Sequence, residues 1–424
     1  MLDKKSGRIY LMLYGICTAL LVSSIFFNTV NTLLPNFASL QLSASRLYTD
    51  AFMVGAENAT ILNAAILGML ALASLLLARV KPTGFTVACV FMIIGAGFAG
   101  MTVLSVPPII FGTWLYAKLK KERYQKYSHE ALLAFALSPV INQVAFGQAR
   151  AFGSVGQYIL ALLVGIFIGF VVAPLAYTVG QKTRIYRMQY ELCALGIVSM
   201  VFYAGYKTIV IDRTFIEDFA VLESVVSEGS NLWLIFIVLF LDFIGLAFAL
   251  HKDAKNIYIK EMKTQVGKDY IEVFSISSIL INIALVGLIT LLYFACIGVS
   301  FHGISICVLM LSLGLACLRL NPLHIPVVLI GLLLSAYTGI SDLHEPVMLF
   351  GYAFSLGLTA MVPHSNVYVA IFAGILFNYL NIFSQSLFAG LNLYGSGAAM
   401  GFSIFISNTL YRAFILKETT EINE

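Results

Sequence analysis

The most prominent candidate binding site is the polar stretch "GLNLYGSGAAMG" at residues 390–401, which lies between strongly apolar segments. Asn392, Tyr394 and Ser396 carry amide and hydroxyl groups that donate and accept hydrogen bonds, as contact with a polar solute requires. Gly397 would allow a non-helical turn or a close helix contact. We therefore predict that these four residues belong to a solute-binding site. The alternative is a small-residue contact between helices, with Asn392 at the headgroup boundary.

Asp242 lies in the middle of the apolar segment "LWLIFIVLFLDFIGLAFAL". A charge at the centre of a bilayer costs about 2.5–3.5 kcal/mol on insertion scales, so this carboxyl must face a partner or water, or be protonated. The position predicts a proton or cation site that couples to solute movement. A neutral carboxylic acid that packs between helices is the alternative.

Two further groups of amides fall in apolar segments. Asn142 and Gln143 follow Pro139, which indicates a broken helix. Asn378 and Asn381 lie three residues apart and therefore share one helix face, which must point into a bundle because lipid offers no hydrogen-bond partners. We predict that these amides contact the solute; the alternative is that they bond neighbouring helices.

The sequence lacks the motifs of common enzyme and metal sites. The pairs His129-Glu130 and His344-Glu345 do not form H-E-x-x-H, and the acids suit helix N-termini instead. A P-loop and G-x-S-x-G are also missing, so neither ATP-driven transport by this chain alone nor catalysis is expected. We predict no cofactor, no metal and no catalytic residue.

The composition indicates which elements must position these side chains. Of the 424 residues, 60% are hydrophobic and 11% are charged, against about 25% charged residues in soluble domains. Apolar runs of about 20 residues recur, and each is long enough to cross a bilayer as a helix. They lack the alternation of a membrane barrel. The chain is therefore predicted to be an all-α polytopic membrane protein, and its net charge of +4 does not indicate nucleic-acid binding.

Fourteen hydrophobic elements can be drawn, and some of them are short or broken. They cover residues 9–31, 58–79, 84–104, 107–120, 130–148, 156–178, 188–210, 231–250, 271–297, 302–319, 325–340, 345–362, 366–388 and 393–415. With a cytoplasmic N-terminus and fourteen crossings, almost all Lys and Arg residues lie on the cytoplasmic side, as the positive-inside rule requires. The exceptions, on the outer side, are Arg46, Arg150, Lys207 and Arg213. Both termini are thus predicted to be cytoplasmic, in the plasma (bacterial inner) membrane.

The two halves of the chain resemble each other. "VPPIIFGTWLYA" at 106–117 aligns with "IPVVLIGLLLSA" at 325–336, and "LVGIF" at 163–167 aligns with "FAGIL" at 372–376. Residues 1–215 and 216–424 are therefore predicted to be two repeats of seven elements. Because seven is odd, the second repeat enters the membrane from the opposite face, as in many transporters with inverted repeats.

The repeat supplies a counterpart for the stretch at 390–401. "RMQYELCALGIV" at 187–198 lies opposite it, so that Gln189 corresponds to Asn392 and Glu191 to Tyr394. We therefore add Gln189 and Glu191 to the predicted binding site. "GLNLYGSGAAMG", together with "NPLHIPVVLIG", resembles the bacterial membrane family known as domain of unknown function 1576, which has N-L-Y-N-x-G phrases in both halves. Gly395 and "QYELCAL" depart from that phrase. The resemblance implies a topology but does not indicate an activity.

These patterns favour a secondary transporter for a small polar solute or ion, with its site at the interface of the repeats. A passive channel, a membrane-embedded enzyme and a scaffold subunit are the alternatives. The expected partners are the lipid bilayer and the solute, without nucleic acid, and the sequence is compatible with a homo-oligomer.

Overall fold

The computed structural model describes most of the chain. It covers residues 4–26, 30–44, 50–147, 154–181, 186–209, 244, 251–263, 274–318, 320–338, 342–388 and 395–414. Within these ranges the fold is helical throughout, without strands. Asn392, Tyr394 and Asp242 lie outside the described residues, so their predicted roles are not addressed by the structure.

The described part of the chain forms sixteen α-helices. They are α1 (Lys4–Phe26), α2 (Val30–Gln41), α3 (Ala51–Leu77), α4 (Gly84–Ala96), α5 (Val106–Leu119), α6 (Ser128–Ala134), α7 (Ser138–Phe146), α8 (Ser154–Gly180), α9 (Arg187–Ile209), α10 (Lys252–Lys263), α11 (Ile276–Ile297), α12 (Gly303–Ala316), α13 (Ile325–Ala336), α14 (Pro346–Ser355), α15 (Val367–Phe388) and α16 (Gly395–Phe414).

Each predicted element overlaps one of these helices, except 231–250, of which the structure describes residue 244 alone. The element predicted at 130–148 is bent, because a 3-10 turn at Phe135–Leu137 separates α6 from α7. α14 likewise continues into a 3-10 turn at Leu356–Met361. Helix α2 was not predicted, since Pro35 and polar residues interrupt its short apolar pattern.

Five helices in the described part, α1, α3, α8, α11 and α15, are long and apolar enough to cross a membrane. Helix α8 shows how they meet lipid: its exposed face carries Val155, Ile159, Leu162 and Phe167, each more than half exposed. A continuous apolar stripe of this kind is unfavourable in water and suits a hydrocarbon environment. The chain is therefore a multi-pass helical membrane protein.

Two short helices, α4 and α12, lie in the core of the fold. All residues of α12 and all but Phe85 of α4 are buried. Each begins with a capping box, made by Thr83 and Thr86 in α4 and by His302 and Ser305 in α12. The 14 residues of α12 extend about 21 Å, which is less than the ~30 Å of bilayer hydrocarbon. Both helices are thus short elements enclosed by protein.

Helices α4 and α12 cross at two glycines. A Cβ on Gly95 would lie 2.9 Å from the carbonyl oxygen of Cys307, and a Cβ on Gly314 would lie 3.0 Å from the carbonyl oxygen of Ala88. Glycine therefore permits the backbones to touch at both points. The residue numbers of the two contacts differ by 219, since Gly314 follows Gly95 and Cys307 follows Ala88 by that interval.

Glycines also bring α5 against α8 and α13 against α15. A Cβ on Gly112 would overlap the Ile166 carbonyl of α8, and a Cβ on Gly331 would overlap the Ile371 carbonyl of α15. Gly112 and Gly331 are identical positions in the aligned stretches 106–117 and 325–336. Helices α5 and α13 therefore pack in the same manner, each directly onto the backbone of a long apolar helix.

Candidate functional site

Helix α9 joins two parts of the fold, because it packs against α8 on one side and α16 on the other. Gln189 and Glu191 are two residues apart, so their side chains leave the helix about 200° apart. The structure accordingly places the two residues in different surroundings. Residues 390–394 lie outside the described part of the chain, so the prediction that both side chains face the stretch at 390–401 stays a prediction there. Among the described residues, the Gln189 side of α9 faces α16.

The Gln189 side of α9 contacts α14's 3-10 extension and α16. Gln189 Nε2 donates to the Gly357 carbonyl at 3.1 Å. Cys193, one turn along, lies with Sγ at 3.8 Å from the Ala398 carbonyl of α16, and a Cβ on Gly401 would overlap the Cys193 side chain. This face is therefore a close contact between chain segments that are about 200 residues apart.

Within the polar stretch at 390–401, the described portion is the start of α16. Ser396 and Gly397 are helical and buried in its first turn. Gly395 and Gly397 have no positive φ, so they do not form a turn. Gly401 allows a close contact with α9, because a Cβ there would overlap the Cys193 side chain. Solute contact at Ser396 and Gly397 stays a prediction.

The Glu191 side of α9 holds a group of charged residues. Arg187 Nε donates to Glu191 Oε1 at 2.7 Å, and Arg187 Nη2 donates to Glu130 Oε1 of α6 at 3.0 Å. Both glutamate side chains are fully buried, whereas that of Arg187 is 40% exposed. One guanidinium therefore binds two carboxylates at the ends of α6 and α9. We refer to Glu130, Arg187 and Glu191 as the carboxylate–arginine group.

The neighbours of this group come from α4, α6 and α8. The guanidinium of Arg187 lies 5.6 Å from the ring of Phe85, which packs at 5.3 Å against the ring of His129. His129 Nε2 is 2.7 Å from Oγ1 of Thr86, which forms the capping box of α4 together with Thr83. A Cβ on Gly180, the last residue of α8, would overlap the Glu191 carboxyl. The group is thus tightly enclosed around its carboxyls and open at the guanidinium.

Asn142 and Gln143 lie on α7, and both are buried. Thr102 Oγ1 donates to Asn142 Oδ1 at 3.0 Å. Asn142 Nδ2 and Gln143 Oε1 have no hydrogen-bond partner among the described residues. The Oδ1 atom of Asn142 therefore bonds the turn after α4, whereas its buried Nδ2 atom could donate to a ligand or water.

Asn378 and Asn381 lie fully buried on α15. Asn381 Nδ2 donates to the Val347 carbonyl of α14 at 3.0 Å, and its Oδ1 lacks a partner in the described part of the chain. Asn378 differs, because neither Oδ1 nor Nδ2 has a partner among the described residues. A buried amide without partners costs about 1–3 kcal/mol, so Asn378 is the strongest candidate here for contact with a bound molecule.

The structure brings some of the predicted residues together and separates others. Gln189 and Ser396 lie on the adjoining helices α9 and α16, whereas Asn142 and Gln143 belong to α7 and Glu191 faces α6. Arg187 was not predicted as the partner of both carboxyls. The spacing of four residues between Arg187 and Glu191 was an available signal, but Glu130 lies 57 residues earlier and offered none.

No curated protein and no solved structure matches this chain. A family match covers residues 29–208 and 249–413, which is most of the chain. It agrees with the resemblance seen in the phrases at 321–331 and 390–401. The chain belongs to the family described as "Protein of unknown function (DUF1576)".

Proposed function

We propose that this protein is a secondary transporter for a small polar solute or ion. Residues 1–215 and 216–424 would form two repeats of seven membrane elements with opposite orientations in the plasma membrane, and both termini would be cytoplasmic. The solute would bind where the repeats meet. Short and broken helices at membrane depth are typical of such sites, and α4, α12 and the bent α6–α7 segment have that character.

The observation that carries this proposal is the reciprocal crossing of α4 and α12. Gly95 contacts Cys307, and Gly314 contacts Ala88, so each helix uses the same two positions toward the other. Reciprocal contacts of this kind arise when two equivalent elements meet across a two-fold axis. They support two equivalent halves that face each other through their short buried helices.

Matched hydrogen bonds give further support. Asn63 Nδ2 donates to the carbonyls of Gly97 and Met101, and Asn282 Nδ2 donates to those of Ala316 and Leu320. Each acceptor in the second half follows its counterpart by 219 residues, as Asn282 follows Asn63. Side-chain amides that bond the ends of equivalent helices are a more specific sign of duplication than a match between apolar residues.

Within this proposal the solute contacts Gln189 on α9, Asn378 and Asn381 on α15, and Ser396 at the start of α16. Asn142 and Gln143 supply unpaired amide atoms on α7. Asn392, Tyr394 and Gly397 are assigned to the same site on the basis of the sequence pattern. Asp242 remains a proposed coupling site, drawn from its position in an apolar segment.

Transport is tested with purified protein in proteoliposomes. Ligands are first found by thermal shift against amino acids, carboxylates, sugars, nucleosides and monovalent cations. The radiolabelled hit is then used in counterflow, where a carrier accumulates label against unlabelled solute inside. Uptake that is accelerated by solute on the opposite side supports a carrier. Uptake without such acceleration indicates a channel, and binding without uptake contradicts transport. Asp242→Asn, assayed for ion dependence, tests the coupling role of that residue.

A further inference from the structure

The carboxylate–arginine group has an imbalance of charge. Glu130 and Glu191 each bind Arg187 through Oε1, so two carboxyls share one guanidinium. With both carboxyls ionised, these three side chains carry a net charge of −1. An uncompensated charge that is removed from water is costly, and a buried acid commonly avoids that cost by binding a proton.

The second carboxyl oxygens of Glu130 and Glu191 also favour a bound proton. Glu130 Oε2 and Glu191 Oε2 are buried and lack a hydrogen-bond partner among the described residues. An ionised carboxylate accepts several hydrogen bonds and so needs several donors around it, whereas a protonated carboxyl needs fewer donors and can itself donate. Two fully buried side chains therefore each have one oxygen that a proton can occupy.

We infer that Glu130, Arg187 and Glu191 form a proton-binding site that holds one exchangeable proton. A proton fits better than a metal cation, because a metal cation needs more oxygen ligands than the two free atoms, and Gly180 packs directly against Glu191. The guanidinium of Arg187 is 40% exposed at the start of α9, so the group reaches the surface of the protein, which provides a route for exchange.

The other groups that titrate nearby are His129 on α6 and Cys89 on α4. The ring of Phe85 contacts both the His129 imidazole and the Arg187 guanidinium. Because His129 carries an imidazole and Cys89 a thiol, a method that reports carboxyl groups distinguishes both from Glu130 and Glu191.

The site bears on transport through α9. Arg187 and Glu191 belong to the same helix as Gln189 and Cys193, which contact Gly357 and α16. Binding or release of the proton changes the contacts that hold α9 to α6, and so biases the packing of α9 between the two halves. This coupling role rests on the proposed transport function, whereas proton binding itself does not.

Infrared difference spectroscopy of the purified protein, titrated across neutral pH in water and in deuterium oxide, tests the site directly. The wild-type protein should show a protonated carboxyl band that titrates and shifts on deuteration. Glu130→Gln or Glu191→Gln should each abolish the band, because the single remaining carboxylate then balances Arg187 without a proton. Glu122→Gln, which alters an exposed glutamate paired with Lys126, should leave the band unchanged.

Three results would overturn the site. They are a wild-type spectrum without a titrating carboxyl, a band that survives in both variants, and a band that each variant only halves, which indicates two independent acids. The first result needs no variant and so does not depend on variant folding. If the band behaves as expected but a proton gradient drives no uptake in proteoliposomes, the coupling role fails and the proton site stands.

Discussion

Asn63 and Asn282 lie 219 residues apart and make the same pattern of hydrogen bonds, one beside α4 and the other beside α12. In each case Nδ2 donates to two carbonyls at the end of the following short helix. In each case Oδ1 accepts from a preceding helix, from Gln41 Nε2 at 2.9 Å in one half and from the Tyr258 hydroxyl at 3.0 Å in the other. Each of the two asparagine side chains thus connects its own helix to a preceding helix and to the end of a following one.

The matching contacts predict matching losses of stability. Asn63→Ala and Asn282→Ala each remove an amide that satisfies buried carbonyls, so each should cost about 1–3 kcal/mol. Thermal unfolding in detergent should show similar decreases in Tm for the two variants. Gln125→Ala, which removes one exposed hydrogen bond to the Arg79 carbonyl, should have a small effect. A large loss at only one of the two asparagines would contradict their equivalence.

A second prediction concerns the glycines between α5 and α8 and between α13 and α15. Gly112→Ala and Gly331→Ala should both lower Tm strongly, because the new Cβ overlaps backbone of the facing helix, which cannot move aside as a flexible side chain can. Gly15→Ala is the matched control. It lies in α1 with no atom within 4 Å of its added Cβ, so alanine should stabilise that helix by up to about 1 kcal/mol. Tolerance of alanine at Gly112 or Gly331 would refute the close packing described for that pair.

Opposite orientation of the two halves can be tested by cysteine labelling. Lys120 follows α5, and Asp342 lies in the corresponding segment after α13; both are exposed. Cys296 is the one exposed native cysteine, and the other five are buried, so Cys296→Ala gives a suitable background. Asp342→Cys should react with an impermeant maleimide in spheroplasts, and Lys120→Cys should react only in inside-out vesicles. Reaction of both from one side would exclude the inverted repeat.

Much of the fold could be predicted because hydropathy alone defines long buried helices. The element limits at 84–104 and 302–319 anticipate α4 and α12. What hydropathy could not give is which faces meet. The separation of Gln189 from Glu191 follows from helical geometry, but the partners of each residue depend on packing between distant segments. The pairing of Glu130 with Arg187 is of that kind. Helix α2 was not predicted for another reason, because Pro35 and polar residues interrupt its short apolar pattern.

The sharpest test of the candidate binding site compares two neighbouring amides. Asn378→Leu replaces a buried amide that has no partner among the described residues with an apolar side chain of similar size. If the amide serves a bound solute, this variant should be as stable as the wild type or more so, by up to about 1–3 kcal/mol, while solute binding is lost. Stability traded for a ligand contact is the expected signature of a functional polar residue in a buried position.

Asn381→Leu is the comparison on the same helix, because Asn381 combines a hydrogen bond within the fold with a proposed solute contact. It removes the hydrogen bond from Asn381 Nδ2 to the Val347 carbonyl, so Tm should fall because that carbonyl loses its partner. Tm and ligand-induced thermal shift, measured on both variants, separate the two roles. A destabilised Asn378→Leu protein with unchanged binding would show that Asn378 supports the fold and does not contact solute. In that case the unpaired amide atoms Asn142 Nδ2 and Gln143 Oε1 on α7 become the next candidates for solute contact.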